Sequence, residues 1–294
     1  MNKALTVYNN NVLDTINSEF QIEVLANDCL FTEGPTWNKE GYYLFSDTPA
    51  NVIYKIAPFD EKEVFLQYAG TKNPEDADLK PDQAGSNGLA FDNNGRLLIC
   101  QHGNHSIASY SGDQLLPLIS SFEGRPFNSP NDLVFHQDQR LYFSDPPYGL
   151  KEGKLNPLKY QPIAGVYCWN NGVIQLVCDK YQYPNGVCLT YDQKYLFICS
   201  NKPFERFISL YDTVTNQFEK IFAEENSDGI ECDRNGNVYL CNKEGLIILD
   251  QYGKRSALII LPAIPSNLCW GGHEMKDLFI TARQYVLLIK DLLK

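Results

Sequence analysis

The chain has only two methionines, no basic cluster longer than two residues, and no apolar run near the length of a membrane span. Its net charge is −11, so a nucleic-acid groove and an anionic membrane surface are both poor expectations. The first twenty residues hold no apolar core of the kind a secretory signal needs. The nine cysteines form no C-x-x-C pair, which argues against a disulfide scaffold and against cysteine-ligated zinc. Buried, reduced thiols in the cytoplasm are the expectation. The nucleophile elbow G-x-S-x-G is missing, as are G-x-G-x-x-G and the Walker motif, so serine-hydrolase and nucleotide chemistry have no anchor.

Apolar residues at 44% and charged residues at 21% describe a folded chain rather than a disordered one. Aromatics reach 13%, with 18 Tyr and 16 Phe, a balance that favours strands. The decisive feature is a repeat. A polar residue, then Gly or a small set of alternatives, an apolar pair, a turn and a strand recur from Glu33, Asn87, Asn131, Asn185, Asp228 and Asn267. A strand-rich unit recurring at roughly 40–50 residues is the signature of a β-propeller blade. The turns agree: Asp92-Asn93-Asn94-Gly95 and Asp233-Arg234-Asn235-Gly236 supply the residues that tolerate positive φ. Each second strand ends on a small residue, in order Ser46, Cys100, Ser144, Cys199, Cys241 and Thr281, which gives three of the cysteines a packing role. The last unit runs out before a fourth strand, and FQIEVLA (20–26) can supply it. The expectation is an all-β, six-bladed propeller of four-stranded antiparallel blades over residues 20–294, closed by that strand, after an extension over 1–19.

In a closed ring the first residue of every repeat opens an innermost strand and faces the channel. Two carboxylates and four Asn amides, with no Cys or His among them, suit a hard divalent cation. Here the residues reach a known pattern. FTEGPTW (31–37), SNGLAFD (86–92), NSPNDLVF (128–135), FSDPPYGL (143–150), YPNGV (183–187), SDGI (227–230) and NLCWGG (267–272) resemble the regucalcin/gluconolactonase family of propeller lactonases, nearest its gluconolactonase branch. The resemblance implies that Glu33, Asn185 and Asp228 bind a metal, with Asn131 beside it as ligand or substrate contact. Ca²⁺ is favoured over Mg²⁺, Mn²⁺ or Zn²⁺. Ser129 stands where the regucalcin branch carries a substrate-contacting Arg, so that branch's substrate preference does not carry over.

The expected activity is opening of a sugar-acid lactone, with Lewis-acid activation of the carbonyl and attack by a water at the metal site. Asp228 is the candidate base, and His102 a candidate proton shuttle or donor. Asn87, Asn131, His102, Asn104 and Tyr148 are candidate substrate contacts. Asp132 and Asp145 read as backbone-bonding residues, His136 as an exposed turn residue, and His273 as a weaker mouth candidate. Two long polar loops, 69–86 and 149–164, border the same end and could cover it. The expected partner is a small lactone, without nucleic acid or membrane, and the oligomeric state is left open. The competing reading is a non-catalytic calcium- or sugar-binding regulatory propeller.

Overall fold

The computed structural model describes residues 3–58 and 60–294. Six antiparallel blade sheets succeed one another along the chain, one for each of the six repeats, and a two-stranded ribbon, Ser121–Phe122 with Arg125–Pro126, lies between blades two and three. Their innermost strands are Thr32–Asn38, Ser86–Phe91, Leu133–Phe135, Val187–Leu189, Ile230–Cys232 and Asn267–Gly271. Within blade one the chain runs Thr32–Asn38, Tyr42–Asp47, Val52–Ile56, Glu63–Gln67, each strand pairing with the next. The strand Ile22–Ala26 pairs antiparallel with Tyr285–Ile289, with Ile22 opposite Ile289. The ring is thus closed by joining N-terminal and C-terminal strands in the sixth blade, as the sequence predicts.

The segment before it also packs on the ring. Leu5–Val7 lies along Arg255–Ile259 as a fifth, outermost strand of blade five. Val12, Ile16 and Phe20 are buried with Tyr239, Ile248, Leu278 and Leu287 between blades five and six. A three-residue strand has too little periodicity to be read from sequence, so residues 1–19 looked like an extension.

Close packing between blades explains the glycine that follows four of the six ring residues. Gly34 has φ +49°, and a Cβ there would lie 2.0 Å from the Asn87 carbonyl oxygen. At Gly186 a Cβ would come within 2.6 Å of the Asp228 carbonyl oxygen, and its N–H donates to that oxygen at 2.9 Å. Only glycine lets one inner strand hydrogen-bond its neighbour at this spacing. The small residues closing the second strands complete the fastening. Ser46 Oγ donates to the Asn87 carbonyl at 2.7 Å, and Cys199 Sγ approaches the Asp228 carbonyl at 3.4 Å. Those cysteines are wall fittings.

Candidate active site

Each ring residue is fixed by the end of the strand that follows it. Glu33 pairs with Ser46 and Asn267 with Thr281. The backbone N–H groups of Asn131, Asn185 and Asp228 donate to the carbonyls of Ser144, Cys199 and Cys241 at 2.8–2.9 Å. Strand antiparallelism therefore puts the loops between second and third strands at the same channel mouth as the ring. Glu33, Asn87, Asn131, Asn185 and Asn267 are all buried, while Asp228 is partly open to the mouth.

The best-defined contacts surround Asp228. Its Oδ1 accepts from Asn185 Nδ2 at 2.5 Å and from Asn201 Nδ2 at 3.0 Å. Tyr148 ties these two amides together: its hydroxyl donates to Asn201 Oδ1 at 3.0 Å and accepts from Asn185 Nδ2 at 3.3 Å. The hydroxyl of Tyr148, a candidate substrate contact, is engaged in holding the carboxylate's donors. Burial raises the Asp228 carboxyl to about 6, against the pull of the two amides and of Arg283 and Lys202. Glu33 is pushed well above the ordinary carboxylate range, first by burial and then by the charge of Asp228, with the Gly34 N–H and Asn267 opposing. A buried carboxylate pushed up by the charge of a second one is favoured by a positive charge beside both.

His102 occupies the opposite wall. Its Nδ1 lies 2.8 Å from the Gln83 carbonyl, which only an N–H can face, so Nε2 carries the lone pair. Asn131 Nδ2 approaches that lone pair at 3.3 Å. Burial lowers His102 to about 4, so the ring is neutral near pH 7. Asn87 Oδ1 is buried without a hydrogen-bond partner among the described residues.

Other candidates fall elsewhere. Asn104 turns its amide to Gln101 Oε1 at 3.1 Å, and His105 is spent on the Asn128 carbonyl and packs in a tilted contact against Tyr160. Asp132 accepts the Val187 N–H at 3.0 Å, and Asp145 takes the N–H groups of Asn128 and Ser129, the backbone-bonding roles expected of them. His136 is buried rather than exposed, set between the Gln193 carbonyl and Asp138. His273 lies in the turn between the first two strands of blade six, at the far end from the ring. The two long loops meet: Leu79 bridges Leu150, and the Lys80 N–H donates to the Gly149 carbonyl at 2.9 Å. Through Gln83 on one and Gly149 on the other they enclose His102. Below the ring the channel continues as a cavity of about 540 Å³, walled by Trp37, Phe135, Tyr191 and Trp270 and topped by Asp132 and Asn267.

Sequence reasoning missed Asn201 and Arg283. A signal was present: His102, Asn201 and Arg283 each stand two residues beyond the small residue that closes a second strand. Counting on from Cys100, Cys199 and Thr281 would have located this second tier of the mouth.

Fold and site together define a six-bladed propeller whose channel mouth gathers carboxylates and amides around one point of negative charge. The chain belongs to the SMP-30/gluconolactonase/LRE-like family, whose model matches residues 31–284. It is 30% identical to a gluconolactonase of Zymomonas mobilis, over 92% of this chain and 81% of that one. A gluconolactonase structure from Xanthomonas campestris superposes with a TM-score of 0.84 at 21% identity, covering 99% of this chain and 95% of the other. A calcium-binding regucalcin from Agrobacterium tumefaciens gives 0.73 at 15% identity, over 94% and 95% of the two chains. At those identities the structural matches speak for the fold alone.

Proposed function

We propose that the protein is a gluconolactonase-like hydrolase that opens a sugar-acid lactone at this ring, with one divalent cation as cofactor. The observation that carries the reading is the Asp228 network, in which one carboxylate oxygen is held by two amides that a single tyrosine keeps in place. The named similarity to a gluconolactonase along most of the chain supports the choice of substrate class.

Among the described residues, no three His, Cys, Asp or Glu side chains gather as metal ligands. The donor set here is of another kind: two carboxylates and several amide oxygens. Asn131 and Asn185 spend their NH₂ groups on His102 and Asp228, which leaves their oxygens for other use, and Asn87 Oδ1 has no partner. That set fits a hard cation, with Ca²⁺ favoured because it accepts irregular oxygen coordination. Glu33, Asn131, Asn185 and Asp228 would hold it. When bound, such an ion stabilises the negative charge that develops on a lactone carbonyl oxygen.

The residues of the chain supply the rest. Both amides that bond Asp228 go to Oδ1, which leaves Oδ2 for the cation and for a proton from the attacking water. Burial raises this carboxyl toward general-base use, and a bound cation would draw it back toward the ionised form. His102 near 4 is a weaker base, and its lone pair already faces Asn131. We therefore assign Asp228 the base role and His102 the orientation of Asn131. Nine buried free thiols support a reducing, cytoplasmic setting.

The test is a panel of aldonolactones followed by proton release, on wild type and Asp228→Asn. Turnover by wild type with a loss of about 100-fold or more in the variant is expected, the usual scale for a general base. Metal binding without turnover of any lactone would instead establish the non-catalytic binding propeller.

A further inference from the structure

We propose that the lactone opened here carries a second, permanently anionic group, a phosphate or a carboxylate, received at the channel mouth by Lys202 and Arg283. The inference rests on the lactonase reading and narrows its substrate class.

Both cations follow second strands, Tyr195–Ile198 and Asp277–Ala282, so both stand at the end of the channel that bears the ring. Lys202 is next to Asn201, the donor to Asp228. Its ammonium lies 4.6 Å from the centre of the Tyr183 ring and 5.0 Å from that of Tyr148, the ring whose hydroxyl fixes Asn185 and Asn201. The Arg283 guanidinium lies 5.3 Å from the centre of the Phe31 ring, two residues before Glu33. The field of both cations reaches Asp228.

Neither cation has an ion-pair partner among the described residues, unlike Arg255 with Glu225 or Lys62 with Asp28. Asp228 is the carboxylate whose charge acts most on Lys202; Glu205 comes next, and it is already occupied by the N–H groups of Gln182 and Tyr183 and the hydroxyl of Ser200. Lys80, whose charge also reaches Lys202, is itself paired with Asp82. A divalent ion would neutralise Glu33 and Asp228, leaving half-buried Lys202 and exposed Arg283 at the mouth without a protein countercharge. A neutral sugar lactone offers them nothing to pair with. An anionic substituent does, and aromatic rings beside the ammonium keep it partly dry, which strengthens such a contact.

The experiment compares matched lactones on the full-length, metal-loaded protein. One pair is glucono-1,5-lactone and its 6-phosphate; the other is glucono-1,4-lactone and the carboxylate-bearing glucaro-1,4-lactone. We expect kcat/KM at least about tenfold higher for the charged member of one pair, roughly the factor a single charged contact contributes. Which pair responds distinguishes phosphate from carboxylate. The preference should shrink as salt is raised and should vanish in Lys202→Gln/Arg283→Gln, and wild type should bind 6-phosphogluconate or glucarate more tightly than gluconate by calorimetry. The salt series on wild type keeps the test decisive if the variant folds poorly. Equal or better turnover of both neutral lactones would overturn this proposal alone. Failure to open any lactone would overturn the lactonase reading and this one with it.

Discussion

Tyr148→Phe removes a single oxygen, and the structure says what that oxygen does. It accepts from Asn185 Nδ2 at 3.3 Å and donates to Asn201 Oδ1 at 3.0 Å, while both amides donate to Asp228 Oδ1. The phenyl ring would stay, 5.7 Å from Tyr183 and under the Lys202 ammonium, so packing should survive. Asn201 loses the donor to its carbonyl oxygen, and Asn185 loses one of two acceptors for its NH₂. An unmet buried partner costs about 1–3 kcal/mol, and Asn185 keeps its shorter bond, so the total should fall near the middle of that range. If the network serves to aim the Asp228 carboxylate, this should appear as a roughly 10-fold to 100-fold drop in kcat/KM, carried mainly by kcat. Metal affinity, measured by chelator competition, should weaken as well, because Asn185 is then held by one hydrogen bond instead of two. The assay is proton release from a turned-over aldonolactone, with thermal unfolding as the control. A variant within twofold of wild type in rate and metal affinity would show that Asp228 needs no such aiming.

Three further outcomes follow from other parts of the structure. His102 is held neutral by burial at about 4, below its value of ~6.5 in an unfolded chain. Its contribution is complete above pH ~6.5 and is lost as pH falls through about 4, so relative to His102→Gln, urea unfolding should show wild type losing up to about 3 kcal/mol between pH 7 and pH 4. Ile16 is fully buried against blades five and six, so Ile16→Ala should cost about 2–5 kcal/mol in denaturant unfolding; a near-zero cost would mean that the N-terminal segment does not pack on the ring. Gly34→Ala places a methyl 2.0 Å from the Asn87 carbonyl at a positive φ, and should abolish metal binding or folding while the control Gly41→Ala, whose Cβ meets nothing within 4 Å, loses only the modest strain of its own φ.

The architecture was legible because a propeller writes its period into the chain. Hairpin turns, strand-length apolar runs and one channel-facing polar residue recur in every blade, and the closing strand was readable as the piece the last blade lacked. The first strand, Leu5–Val7, escaped because three residues on a sheet edge carry no periodic signal. The site was legible in its ring and not in its wall. Ring residues belong to the repeat, so their convergence follows from topology. The wall is made by loop residues whose aim depends on tertiary partners, as with Asn104, drawn to Gln101, and Tyr148, drawn to two amides. His136 shows the same limit: a turn position looked open, but the neighbouring blade's Gln193 carbonyl covers it.

The most direct measurement is the initial rate of lactone opening by one preparation of the protein, first stripped by chelator and then reloaded with Ca²⁺. The account requires the stripped protein to fall to the spontaneous rate, the reloaded protein to recover, and Glu33→Gln treated in parallel to stay inactive. Undiminished opening by stripped protein would contradict it.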